Sequence, residues 1–227
     1  MCSANILKLK AVVFDWDLTL WNSWDIHVWL MQRTADSLGL PRPETDAIAR
    51  EYSRPFLQHL SWFFGGDQDT VLDAYMEFYR ENVAEMAGLY PGIEEALAAL
   101  KQRGFQLAIF SDKRHAFGMS ELDQTSIGHL LDNVSFLVEG RPYKPDPIGL
   151  LQVTAILGVP AGDAIYVGDS RQDIECAHKA GIRSGAALWG SVDRQAVLAR
   201  KPHYRWESME QMLGSLGVEP LKRHGDG

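Results

Sequence analysis

Five short apolar runs, separated by segments of helical periodicity, constrain this chain more than any other feature. Ala11-Val12-Val13-Phe14 stops at Asp15, and Gln106-Leu107-Ala108-Ile109-Phe110 stops at Ser111. Residues 134–138, 164–167 and 184–188 supply three more. Apolar runs without polar alternation suit strands buried on both faces. Helical spacing fills the intervals. Residues 92–104 carry Ile93, Leu97 and Leu100, and Gly104 is placed to stop them. Asp146-Pro147 opens a segment reaching Gly158, with Asp146 read as N-cap and Pro147 as the first helical residue. Residues 170–180 and 208–216 supply two further helices. Strand and helix in alternation predict an α/β fold, a Rossmann-like parallel sheet with right-handed crossovers.

One stretch breaks the alternation. Residues 24–87 contain no convincing strand, and helical periodicity runs through 26–38, 46–60 and 70–86, punctuated by Pro41, Pro43 and Gly65-Gly66. The expectation is a small α-helical domain inserted after the first strand, over 22–89. Residues 1–21 and 90–227 form the core, which the chain re-enters at Tyr90-Pro91-Gly92. Trp21, Trp24, Trp29 and Trp62 concentrate in or near the insert and are expected to build its interior. Residues 222–227 read as a frayed tail.

Composition removes several classes. Hydrophobic residues at 46% and charged residues at 23% are a globular balance, which excludes disorder, collagen and coiled coil. The formal charge of −8 lacks the broad positive field that non-specific nucleic-acid binding needs, so no nucleic-acid partner is expected. Local positive groups can still receive a small anion. Two cysteines, Cys2 and Cys176, make neither a disulfide scaffold nor a cysteine zinc site. No apolar run approaches the ~20 residues of a membrane span, and no secretory pattern opens the chain. A soluble cytoplasmic protein without a membrane partner, monomeric or weakly dimeric, is the expectation.

In an open α/β sheet, ligands bind outside the carboxyl ends of the strands. The residues there are chemically pointed. The first strand ends in Asp15-Trp16-Asp17-Leu18-Thr19, the second in Ser111-Asp112-Lys113, and the fourth in Gly168-Asp169, followed by Asp173. Lys144 lies between the third and fourth strands in Arg141-Pro142-Tyr143-Lys144-Pro145. Carboxylates gathered at one edge repel unless a cation neutralises them, and hard oxygen ligands with open positions suit Mg²⁺. A carboxylate is a competent nucleophile towards phosphorus. Ser111, Lys144 and backbone N–H groups can offset charge on the equatorial oxygens. A second acid two residues from the nucleophile can protonate a leaving oxygen and then deprotonate water.

These four segments resemble, in order and spacing, the motifs of the haloacid dehalogenase (HAD) superfamily, mainly its phosphatases. The insert is similar to the helical cap of the phosphoglycolate phosphatase and β-phosphoglucomutase branch. The resemblance implies a HAD core with a helical cap, Mg²⁺, and hydrolysis of a small metabolite's phosphate monoester through an aspartyl-phosphate. It implies that Asp15 is nucleophile and metal ligand, and that Asp17 is acid/base and ligates through its carbonyl. Thr19 and Ser111 bind the phosphoryl oxygens, and Lys144 steadies nucleophile and transferring group. Asp169 ligates the metal, and Asp173 supports it directly or through water. Two positions depart from the family pattern: Leu18 stands where glycine is usual, and Asp112 where asparagine is usual. Asp112 is carried as a phosphate-site residue.

Neighbouring chemistries separate on single residues. A dehalogenase does not need Asp17. A phosphonoacetaldehyde hydrolase needs a cap lysine for a Schiff base, and none lies between Trp21 and Tyr90. A β-phosphoglucomutase-like mutase shares the core machinery and stays open, as does a non-catalytic binding module on the same fold. Arg54 is the cap's candidate for a substrate carboxylate, although a surface arginine reads almost as well. His27 and His59 read as structural, and Cys176 as packed. Phosphoglycolate, a sugar phosphate and a nucleotide all remain open as substrate.

Overall fold

The computed structural model describes residues 9–219. Cys2, the start of the chain and the tail at 222–227 lie outside the described residues. In chain order the elements are β1 (Ala11–Phe14), β2 (Trp21–Asn22), α1 (Trp24–Ser37), α2 (Thr45–Glu51), α3 (Phe56–Phe64), α4 (Gln68–Met86), β3 (Gly88–Leu89), α5 (Ile93–Gln102), β4 (Gln106–Arg114), α6 (His115–Leu122), β5 (Asn133–Leu137), α7 (Ile148–Ile156), β6 (Ala164–Gly168), α8 (Arg171–Lys179), β7 (Arg183–Ala187), α9 (Arg194–Ala199), β8 (Tyr204–Trp206) and α10 (Met209–Ser215). They fall into two compact units, Met1–Trp21 with Leu89–Gly227, and Asn22–Gly88. β2 and β3 pair where the chain passes between the units.

The larger unit is built on a six-stranded sheet in the order β5-β4-β1-β6-β7-β8, every pairing parallel. Ala11 to Phe14 are fully buried, as expected for a central strand covered on both faces. Burying Val12, Val13 and Phe14 contributes roughly 1.5–3 kcal/mol each. On one face Val13, Phe110 and Tyr166 share a cluster with Leu150 and Val153 of α7 and Cys176 and Ala177 of α8. The sheet order places β4 and β6 on either side of β1, so three motif-bearing strand ends meet at one edge.

Two local expectations are corrected. α7 begins at Ile148 with Pro147 as its N-cap, while the Asp146 carboxylate accepts from the Ile148 N–H at 2.9 Å. Asp146 thus caps from one residue further out than its spacing suggested. In the smaller unit the continuous helix expected over 46–60 is two helices, α2 and α3. Pro55 has no N–H to donate and disfavours helical backbone at the residue before it, so the helix restarts at Phe56.

The smaller unit is all α-helical apart from its linker strands, with α1 and α3 packed on α4. Asp67 caps α4 by accepting from the Asp69 and Thr70 N–H groups. His27 and His59 are both buried. Nε2 of each meets the other at 3.2 Å, His27 Nδ1 meets the Tyr75 hydroxyl at 3.0 Å, and His59 Nδ1 meets the Glu51 carbonyl at 2.9 Å. Both histidines are structural, as their lack of ligand spacing suggested. Trp62 is not interior: it is 60% exposed and carries the Arg54 guanidinium 4.2 Å above its ring. No helix among the described residues is long and apolar enough to cross a membrane.

Candidate active site

β1 ends at a turn closed by one carbonyl. The Trp16 oxygen accepts the N–H groups of Thr19, Leu20 and Trp21 at 2.9 to 3.2 Å. The turn needs left-handed backbone at Leu18, where φ is 58°. Glycine takes that conformation freely, whereas a leucine is strained there by about 1–2 kcal/mol. Leu18 is fully buried, and that burial offsets the strain. The departure from the family's glycine therefore leaves the turn intact. The Leu18 carbonyl is met by Gly190, where an added Cβ would lie 1.7 Å from it.

Asp15 leaves β1 with its N–H on the Val167 carbonyl of β6 at 2.8 Å, and its side chain is buried. Its Oδ2 pairs with Lys144 Nζ at 2.9 Å, and Lys144 also reaches Asp173 Oδ1 at 2.7 Å. Lys144 is anchored at its backbone, where its N–H donates to Asp112 Oδ2 at 2.9 Å. Asp169 follows β6 and accepts from the Thr19 hydroxyl at 3.3 Å. Oxygens of Asp15, Asp169 and Asp173 lie within 4.8 Å of one another. The structure thus brings Asp15, Thr19, Lys144, Asp169 and Asp173 into one network. Ser111, also buried, accepts the Lys113 N–H at 3.3 Å, and its hydroxyl counts among the groups that favour the Asp15 carboxylate.

Asp173 opens α8 in a reciprocal capping box with Ser170, whose N–H and hydroxyl both donate to Oδ2, at 2.9 and 2.6 Å. Its Oδ1 takes Lys144 and the Tyr166 hydroxyl, the latter at 3.0 Å. Both oxygens are engaged by protein groups. Gly168 makes the approach possible: a Cβ there would sit 2.3 Å from Asp173 Cγ.

Three carboxylates against one ammonium leave an excess of negative charge in a buried place. Burial, joined by the neighbouring Asp173 charge, pushes the Asp15 carboxyl up to about 7 despite the counter-pull of Lys144. Burial and the charges of Asp173 and Asp15 push Asp169 well above the usual carboxylate range. Burial alone would lower Lys144, but Asp15, Asp173 and Asp112 more than offset it and hold its ammonium well above its ordinary value. Among the described residues, Asp15 Oδ1 is buried with no hydrogen-bond partner. An orphaned carboxylate oxygen within a surplus of negative charge fits a hard divalent cation.

Three expected site residues stand elsewhere. The Asp17 carboxylate is outside the acidic trio and meets Lys113 Nζ at 3.1 Å. The Asp112 carboxylate is taken up by the Lys144 N–H and by Arg141 at 3.2 Å, which makes it a strut of the lysine loop. Arg54, in the helical unit, pairs with Glu51 at 2.5 Å. Sequence reasoning missed four members. Tyr166 donates to the Phe110 carbonyl at 2.8 Å and backs Asp173. Arg141 holds the Ser111 carbonyl. Lys113 and Glu121 form an ion pair at 2.8 Å. Cys176 is buried, and that burial pushes its thiol up to about 12, so it is packed rather than reactive.

Comparison with known proteins agrees with this geometry. Residues 12–187 match the family model for haloacid dehalogenase-like hydrolases. A phosphoglycolate phosphatase of Aquifex aeolicus is 30% identical over 81% of this chain and 87% of its own length. The pyrophosphatase PpaX of Bacillus velezensis is 26% identical over 93% of this chain and 98% of its own. Among solved structures, a predicted phosphoglycolate phosphatase from Haemophilus somnus superposes with a TM-score of 0.82 at 23% identity, covering 91% of this chain and 97% of its own. A protein assigned as a β-phosphoglucomutase from Thermotoga maritima superposes at 0.76, also at 23% identity, covering 91% and 99%. The chain belongs to the haloacid dehalogenase-like hydrolases.

Proposed function

We propose that the protein is a Mg²⁺-dependent phosphomonoesterase acting on a small phosphorylated metabolite through a phosphoryl-Asp15 intermediate. The observation that carries the reading is the buried trio of Asp15, Asp169 and Asp173, with Lys144 paired to Asp15 and Asp173 and one Asp15 oxygen without a hydrogen-bond partner. Curated relatives that are phosphatases and pyrophosphatases support the reaction class.

The roles follow from position. An Asp15 oxygen attacks phosphorus as the bond to the leaving oxygen breaks. Lys144 and the Ser111 hydroxyl meet charge on the phosphoryl oxygens. Asp17 donates a proton to the leaving oxygen and takes one from the water that then releases phosphate. Asp15 and Asp169 would hold the divalent ion, with Asp173 supporting through Lys144 and Tyr166. When bound, the ion supplies charge neutralisation between nucleophile and phosphoryl group. The helical insert is the proposed cap, and Arg54 and Trp62 are its candidates for reading the rest of the substrate.

Asp15→Asn tests the reading against a panel of metabolite phosphates, each assayed with Mg²⁺ and with chelator. Loss of Mg²⁺-dependent phosphate release supports it, and unchanged release overturns it. A mutase would instead transfer the group from a sugar bisphosphate with little free phosphate.

A further inference from the structure

Glu121 is a buried acid that the mechanism above does not use. It lies on α6, 1% exposed, and both its oxygens have partners. Oε2 accepts from Trp16 Nε1 at 2.7 Å, and Oε1 pairs with Lys113 Nζ at 2.8 Å. The same ammonium reaches Asp17 Oδ1 at 3.1 Å and is only 15% exposed. Trp16 is itself immobilised. It stacks on Trp21, with centroids 5.5 Å apart and planes 13° from parallel, and it meets Phe136 edge-on at 5.8 Å. A continuous line of polar contacts therefore runs from a rigid indole through a buried carboxylate and an ammonium to Asp17.

Burying a glutamate is costly, and the fold offsets the cost with a charge-assisted contact at each oxygen. Lysine is a flexible cation, and a buried anion behind it restricts where its ammonium can sit. The Asp17 carboxylate, on a short side chain in the turn after β1, is thereby held at one oxygen. Proton transfer to a leaving group demands a carboxyl within hydrogen-bond reach of it, and a displacement of about 1 Å can cost about 10²-fold.

We propose that Lys113, braced by Glu121, is a positioning residue for Asp17 and governs how well the enzyme cleaves esters whose leaving groups need protonation. This rests on the reading of Asp17 as acid/base. In the first step the Asp15–phosphorus bond forms as the phosphorus–leaving-oxygen bond breaks, and Asp17 gives that oxygen its proton. In the second, the water–phosphorus bond forms as the Asp15–phosphorus bond breaks, and the water proton restores Asp17. A leaving group stable as an anion needs no proton in the first step, so its kcat/KM is insensitive to the placement of Asp17.

The test measures kcat/KM on phenyl phosphate, the poorer leaving group, and p-nitrophenyl phosphate, the better, with the full chain in Mg²⁺. Lys113→Met and the double variant Lys113→Met/Glu121→Gln are compared with wild type. The double variant leaves no uncompensated buried carboxylate, so it reports even where the single one fails to fold. The phenyl-to-nitrophenyl ratio is expected to fall by about tenfold in both, as a fraction of the 10²–10⁴ that general acid catalysis supplies. A purely structural role for the pair lowers both substrates together and leaves the ratio unchanged. Asp17→Asn is the reference. If it lowers the ratio and the folded Lys113 variants do not, the positioning role is overturned and the acid/base reading stands. If it too leaves the ratio unchanged, both are overturned.

Discussion

Divalent ions should stabilise this protein far more at alkaline than at acidic pH, by an amount the site itself sets. In the metal-free protein the Asp15 carboxyl is raised from 3.8 to about 7. Between those values the folded protein holds a proton that the unfolded chain has released. This contribution to stability is present at low pH and is lost as pH rises to about 7, by up to about 4 kcal/mol. A cation bound at Asp15 must displace that proton. At about pH 5.5, some 1.5 units below the Asp15 value, apparent affinity falls roughly 30-fold relative to about pH 8. Mg²⁺ at ~100 times its dissociation constant stabilises by about 2.7 kcal/mol. The same concentration at the lower pH is only about threefold above the dissociation constant and stabilises by roughly 0.8 kcal/mol. For a chain of this size these become about 5–11 °C and about 2–3 °C in Tm. Asp169, raised for the same reason, pushes the difference the same way. Scanning calorimetry with Mg²⁺ and with chelator at the two pH values checks this. An equal gain at both, or a full gain retained by Asp169→Asn, would refute the reasoning.

Three further outcomes are expected. Lys144→Met removes the ammonium shared by Asp15 and Asp173 and should lower kcat/KM by about 10²–10³-fold in steady-state assays, with activity near wild type counting against its role. Gly168→Ala puts a Cβ 2.3 Å from Asp173 Cγ and should cost about 1–3 kcal/mol in urea unfolding, whereas unchanged stability contradicts the close approach. Burial holds His59 below its ordinary 6.5, so its neutral form is the native one, and stability from it is present above 6.5 and lost as pH falls through the lower folded value. Circular-dichroism melts should show acid-side destabilisation that flattens in His59→Gln; an identical profile removes this histidine as a cause.

The sheet could be read from sequence because residues 11–14 and 164–167 are apolar on both faces, which only a covered central strand tolerates. β8 was missed because Tyr204-Arg205-Trp206 is too short to show a period. The acids and the serine could be picked out because strand ends collect ligands, and Lys144 because prolines flank its loop. Tyr166 could not, since a tyrosine in an apolar run reads as core; its ring is core, and only its hydroxyl reaches Asp173. Glu121 carries no sequence signal at all. A glutamate on a short helix reads as solvated, and only the fold shows Trp16 and Lys113 closing around it. Asp112 looked like a substrate residue until Arg141, 29 positions away, was found holding it.

The phosphoryl-enzyme itself is the most direct object of measurement. Rapid acid quench during turnover, followed by borohydride reduction and peptide mapping, converts an acyl phosphate into a homoserine at the attacked residue. The account predicts homoserine at position 15 and at no other acid. Steady turnover with aspartate unmodified at 15, or modification at 17 or 169 instead, would contradict it.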